Sequence, residues 1–297
     1  MLSEIDQFVN WVRRRNPEAR TWKDYSYDLE QFVKLVGDQA PAAISIQDID
    51  RFVRLQASRG FKPTTINRRL AAITSLYIYL SGEDPRLVCP VLAHRHHLRE
   101  PQRLPRPVQE KNLRVFFEAI ETSLPPKGEP NNRVRDRAMF TLMLRCGLRI
   151  CEVAQLLLSD LYLDEPYPRL VARGKGSRER SVYLSSQARH ALQAYLNIRP
   201  AASSEFVFLS YLQDGLSTTA IHKRIMRYRK QAEISLTAHR LRHNFANDLL
   251  SADVPVTTIQ KLLGHRWLET TQVYVQANDR QVQDDYYAAC QKLESWQ

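Results

Sequence analysis

The chain has 297 residues, 43% hydrophobic and 25% charged, enough to bury a core and long enough for two domains. With 43 Lys and Arg against 32 Asp and Glu, its formal net charge is +11, so a polyanion, nucleic acid first, is the expected partner. No stretch approaches the roughly 20 apolar residues of a membrane span, and Glu4 and Asp6 stand where a signal peptide would be basic and then apolar, so a cytoplasmic protein without membrane contact is expected.

Residues 1 to about 88 carry helical spacing throughout, in Ile5, Phe8, Val9 and Val12, then in Tyr25, Leu29, Phe32, Val33 and Val36 before Gly37. A third helix is predicted near Ile46 to Ser58. A fourth begins after Pro63, at Thr64 or Thr65, and sets Ile66, Leu70, Ile73, Tyr77 and Leu80 on one face. Asn67, Arg68 and Arg69 fall on its opposite side, which suits phosphate contact and a plain solvated face alike. These helices make a four-helix first domain over 1–88.

From Pro85 to Pro107 the text turns to prolines, histidines and arginines without a sustained period, so an extended basic linker is placed at 89–107. His94, His96 and His97 lack cysteine or carboxylate partners at ligand spacing and are read as solvated linker, with no metal site. Cys89, Cys146, Cys151 and Cys290 show no C-x-x-C spacing and are read as reduced and structural.

Helical patterning resumes near Val108 and opens a second domain over 108–297. It is interrupted by two β-like runs, Arg169 to Ala172 and Arg180 to Leu184, around Arg173-Gly174-Lys175-Gly176-Ser177. That pattern predicts a hairpin with a lysine at its tip. The fold class is therefore mainly α with a small antiparallel β-sheet, an α+β arrangement, in the C-terminal domain.

Four segments of this domain carry residues suited to one reaction. In residues 142–160, apolar positions through Leu144 form a helix, Gly147 ends it, and another begins around Ile150. Arg149 then sits at a helix junction, where its planar fork can meet a phosphate while Glu152 helps hold it; an ordinary surface arginine fits the same text. Lys175, bracketed by glycines, can serve as a point charge or proton donor, or simply belong to a basic loop. In residues 236–250, Thr237 is a plausible N-cap, which puts His239 and Arg242 side by side at the positive end of a helix. In residues 259–276, Gly264 closes a helix, His265 follows, and Tyr274 comes nine residues later. Such a tyrosine usually packs; beside a phosphate held by two arginines it becomes a candidate nucleophile. Val282, Tyr286, Ala289, Leu293 and Trp296 then mark an apolar stripe on a tail helix over about 281–297, suited to docking on a neighbour or on its own domain.

The order Arg149, Lys175, His239, Arg242, His265, Tyr274 resembles the tyrosine recombinase family, which includes phage integrases and the Xer-type chromosome resolvases. The runs GLRICEV, GKGSRER, AHRLRHNFA, LLGH and TTQVYV follow that family's patterns in family order. At the front, TTINRRLAAITSLYIYL is similar to the last helix of its N-terminal SAM-like DNA-gripping domain, and Leu104-Pro105-Arg106 to its linker. The resemblance implies that Tyr274 attacks the scissile phosphate and that Arg149 and Arg242 stabilise the charge that develops. It makes Lys175 the general acid for the departing 5′ oxygen and lets His239 and His265 bond the phosphate or help take the tyrosine proton. Arg68 and Arg69 on the fourth helix, with Arg173 and Arg178 of the basic hairpin, are the expected contacts to DNA, and the resemblance calls for no cofactor. It further implies double-stranded DNA recombination sites as partners, a homotetramer on two duplexes working through a Holliday junction, and a tail exchanged in trans. A second recombinase or accessory protein is compatible with it. A type IB topoisomerase uses a similar residue set as a monomer, and the apolar tail argues against it; a purely architectural DNA-binding protein would not need Tyr274.

Overall fold

A computed structural model describes residues 1–15, 17, 21–100, 107–124, 132–174 and 178–264. The chain divides into two compact units, Met1–Gln102 and Arg103–Gln297. Among the described residues no helix is long and apolar enough to cross a membrane.

The first unit holds α1 (Leu2–Arg15), α2 (Thr21–Val36), α3 (Ile46–Ser58), α4 (Pro63–Ser81) and the single-turn α5 (Ala93–His96). Local chemistry sets the starts. Ser45 Oγ accepts from the Asp48 N–H at 3.3 Å and Asp48 Oδ2 accepts from the Ser45 N–H at 3.0 Å, a capping box that opens α3. Pro63 occupies the first turn of α4, where its missing N–H costs nothing. The apolar stripe read from the sequence is the core: Leu29, Phe32, Ile49, Phe52, Ile66, Leu70 and Ile73 are all fully buried.

Two expectations change here. Arg69 is not on a solvated face: it is 3% exposed, lies over the Phe61 ring at 4.3 Å, donates to the Gln56 side chain, and keeps Nε 3.6 Å from Asp28 Oδ1. The reason is that α4 is enclosed on more than its apolar face, with α2 and α3 both packed against it. The second change concerns the stretch read as linker. Leu87, Cys89, Val91 and Leu98 pack against the first unit's core, too irregularly spaced to show a period. The Asn67 side chain fastens this stretch, donating to Leu98 O at 2.9 Å and accepting from Leu98 N at 2.9 Å. His96, expected to be solvated, is 1% exposed; its Nδ1 accepts from the Leu92 N–H at 2.8 Å. Residues 101–106 lie outside the described residues.

The second unit carries α6 (Glu110–Thr122), α7 (Asn132–Arg145), α8 (Ile150–Ala154), β1 (Leu161–Tyr162), β2 (Arg169–Gly174), β3 (Arg178–Tyr183), α9 (Ser186–Leu196), α10 (Thr218–Gln231), α11 (Ala238–Ser251) and α12 (Val256–Leu263). The sheet is antiparallel, in the order β1-β2-β3, with Leu161 opposite Leu170, Arg169 opposite Tyr183, and Gly174 opposite Arg178. The two predicted strands are there; β1, two residues long, was too short to show an alternation. Helix α7 is apolar on several faces because α9 and α11 both pack against it. The main core gathers Phe116, Phe140, Met143, Val153, Leu170, Leu192, Phe208, Tyr228 and Leu241. A smaller cluster of Phe245, Ala246, Ile259 and Leu263 ties α11 to α12. Asn244, buried on α11, pairs with the Val108 main chain in both directions at 2.8 Å. Cys146 is buried, its thiol pushed up to about 12 by burial, while Cys151 is exposed on α8 rather than in a core. Cys290 lies outside the described residues.

Candidate active site

The site begins at the turn between α7 and α8. Gly147 has φ +65°, and a Cβ there would come 2.4 Å from Phe245 Cδ1 and 3.1 Å from Leu263 Cδ2. Both the backbone conformation and the space therefore require glycine. The turn delivers Arg149 as the N-cap of α8. Its main-chain N–H donates to Glu152 Oε2 at 2.7 Å and its Nη1 to Oε1 at 2.9 Å.

Glu152 is the hub. Its side chain is fully buried, and β3 supplies a second arginine: Arg180 donates Nη1 to Oε1 at 2.5 Å and Nη2 to Oε2 at 2.9 Å. Arg242 of α11 brings a third guanidinium, with Nη1 3.9 Å from Oε2. Burial pushes the Glu152 carboxyl up, but the Arg180 bonds and charge, with the Arg149 main chain and guanidinium, hold it below the usual carboxylate range. Three guanidinium groups around one carboxylate leave an excess of positive charge. Arg149 carries it outward, at 38% exposure against 13% for Arg180 and 2% for Arg242.

Helix α11 starts as the sequence predicted. Thr237 Oγ1 accepts from the Arg240 N–H at 3.2 Å, and His239 and Arg242 follow in the opening turns, where the helix dipole favours an anion. Arg242 donates to the carbonyl of Gly147 and, at 2.5 Å, to that of Leu263 at the end of α12. His239 is half-buried, its ring edge-to-face with His243 at 4.3 Å between centroids. Burial first, then the charges of Arg242 and Arg149, lower its pKa, so His239 feels both arginines and stays neutral near pH 7. His243, still more enclosed by charge, is pulled down to about 4 by burial and by His239, Arg242 and Arg240. Such a pocket can hold a phosphate against two cations and offer it a neutral imidazole.

Of the six residues singled out from sequence, Arg149, His239 and Arg242 are thus brought together. Lys175, His265 and Tyr274 lie outside the described residues, as does the tail over 281–297. The strands that flank Lys175 are in place, and Gly264, immediately before His265, caps α12 at φ +64°. Arg173 is partly exposed and pairs with Asp160 at 2.7 Å and Glu179 at 3.2 Å. Arg178 pairs through its backbone with Gly174 in the hairpin, and its side chain is not among those described. Arg68 is 52% exposed and reaches the buried Asp28 at 2.9 Å. Sequence reading missed Arg180. The signal was its alternation with Val182, which is 3% exposed: in a strand, residues two apart share a face, so Arg180 had to point inward.

A model of the phage integrase family matches residues 108–281, and one of the phage integrase N-terminal SAM-like domain matches residues 5–84. Tyrosine recombinase XerC of Pelotomaculum thermopropionicum is 33% identical over 307 residues, covering 96% of this chain and 97% of that protein. Tyrosine recombinase XerD of Listeria innocua is 28% identical over 295 residues, covering 95% and 96%. Among solved structures, XerH site-specific recombinase bound to palindromic difH substrate, a post-cleavage complex, matches with a TM-score of 0.74 at 20% identity, over 90% of this chain and 79% of that one. That last likeness is one of fold.

Proposed function

The chain belongs to the phage integrase family of tyrosine recombinases, and from that premise we propose that it cuts and rejoins two DNA duplexes at specific sites through Tyr274. The observation that carries this reading is the buried Glu152 holding Arg149 and Arg180, with Arg242 and neutral His239 beside them. As the tyrosine oxygen attacks phosphorus, negative charge grows on the two non-bridging oxygens. Arg149 and Arg242 meet that charge with donors already in place, each contributing on the order of 3 kcal/mol. His239, neutral, donates to a phosphate oxygen or takes the tyrosine proton. Lys175, between the two strands of the hairpin, protonates the departing 5′ oxygen, and His265 bonds the phosphate.

Attack forms the tyrosyl–phosphorus bond and breaks the bond to the 5′ oxygen, leaving a 3′-phosphotyrosyl ester. A 5′ hydroxyl from the second duplex reverses the step, so neither ATP nor a cofactor enters the balance. Four protomers on two duplexes, joined by tails exchanged in trans, pass through a Holliday junction. Arg68, Arg173 and Arg178 contribute phosphate contacts, and a reaction on cellular DNA places the protein in the cytoplasm.

The test uses a supercoiled plasmid bearing two copies of a site that the protein itself selects from a random-sequence pool. Recombination yields two circles or an inverted segment and depends on both copies. Relaxation of supercoils from a single copy, without exchange, would mean a topoisomerase instead.

A further inference from the structure

We propose that Arg180 is a positioning residue for strand cleavage: its guanidinium fork fastens the β2–β3 hairpin to the arginine pocket and to the end of α12, so that the parts of the site assemble as one unit. This rests on the recombinase reading above. Arg180 stands on β3, three residues from the end of the tip that carries Lys175. Its two Nη atoms donate to both oxygens of Glu152, the carboxylate that also holds Arg149. Its Nε turns the other way and donates to Leu262 O at 3.0 Å. Arg242 donates to the next carbonyl, Leu263 O, at 2.5 Å. Two arginines from two elements therefore cap the last turn of α12, two and three residues before His265.

The fit is close. A Cβ at Gly264 would lie 2.9 Å from Arg180 Cδ, so the arginine's stem packs directly against the residue that ends α12. A bidentate grip on a carboxylate plus a third bond in another direction needs the planar fork of arginine. Lysine, a single point charge, can satisfy one of these partners but cannot bridge them. At 13% exposure, Arg180 is not available to DNA in the way Arg149 is. Its effect runs through the groups it holds.

The experiment compares wild type with Arg180→Lys and Arg180→Ala on a suicide substrate. It measures DNA affinity, melting temperature, and the single-turnover rate of covalent-complex formation at saturating DNA across pH. Both variants should bind within about threefold of wild type, since the surface cations remain. Both should cleave about a hundredfold more slowly, the scale expected when reacting groups are misplaced by roughly an ångström. Arg180→Lys keeps the charge and the packing stem, so it carries the test if Arg180→Ala does not fold. A readout that plain destabilisation would not move is the acid limb of the rate profile. The groups facing Glu152 are Arg149, Arg180 and Arg242, with His239 beside them. Without the Arg180 fork the carboxylate is held down less, and the limb should move to higher pH. Combining Arg180→Lys with Glu152→Gln should add little to the loss from Glu152→Gln alone. Wild-type rate and pH profile in Arg180→Lys would overturn the inference while leaving the recombinase reading intact. Absence of covalent complex from wild type itself would instead remove the reading beneath it.

Discussion

Gly147→Ala would load the site's supporting turn in two ways, and their size follows from the geometry. Alanine at φ +65° places a Cβ in the left-handed region, which costs about 1–2 kcal/mol. That Cβ would also fall 2.4 Å and 2.8 Å from two atoms of the Phe245 ring, and overpacking of this kind costs about 1–3 kcal/mol. The sum, about 2–5 kcal/mol, is large against a total stability of about 5–15 kcal/mol. With a denaturant slope near 2–3 kcal/mol/M, the catalytic unit's urea midpoint should fall by about 1–2 M. Cleavage should fall too, because the Gly147 carbonyl accepts from Arg242 and must shift with the turn. Adding Phe245→Ala opens the space the new methyl needs, so the double variant should be less destabilised than the sum of the singles. A midpoint within about 0.2 M of wild type in Gly147→Ala would refute the claim that this turn is sterically closed.

Glu152→Gln removes the buried carboxylate to which the Arg149 and Arg180 guanidinium groups are bonded and should cost about 3–5 kcal/mol at neutral pH, read from denaturation midpoints. Because the folded carboxyl is held below its ordinary 4.5, its contribution is present above that value and fades as pH falls through the folded pKa; the gap between wild type and Glu152→Gln should therefore narrow in acid. His243 changes stability in the same direction with pH, over a higher window. With its folded pKa down at about 4, the unfolded chain takes a proton first as pH falls below 6.5, so this group destabilises the fold progressively down to about pH 4. His243→Phe should flatten that part of a melting-temperature profile, and an unchanged slope would show that His243 is not held neutral. Arg149→Ala and Arg242→Ala should each slow cleavage at least a hundredfold while DNA affinity drops only modestly, since their contribution grows in the transition state. Parallel losses in binding and rate, measured by gel shift and suicide-substrate assays, would make them ordinary contacts.

Much of the architecture was legible because it is written in short periods. The stripe from Ile66 to Leu80, the cap at Thr237 and the breaks at Gly147 and Gly264 each act within a turn or two of their own helix, and all four appear where the text placed them. What escaped depends on distant partners. Arg69 looked like a surface arginine because nothing near it in sequence reveals that Phe61, Gln56 and Asp28 close around it. The stretch through His96 looked like linker because apolar residues in an extended segment bind a core without any period. Within the site, Glu152 was read as a helper to Arg149. Its larger role as the shared anchor of Arg149, Arg180 and Arg242 needs the pairing of β3 against β2 and the docking of α11, neither of which a local spacing encodes.

The covalent step through Tyr274 is the account's central claim, and its hydroxyl is the one atom that every merely structural role of the residue can spare. Tyr274→Phe should fold, bind the selected DNA with wild-type affinity and assemble on paired sites. On a nicked suicide substrate resolved by denaturing electrophoresis, wild type should carry DNA on a peptide containing Tyr274, with Tyr286 and Tyr287 unlabelled, and Tyr274→Phe should carry none. Covalent DNA persisting in Tyr274→Phe, or mapped to either of the other tyrosines, would contradict the account.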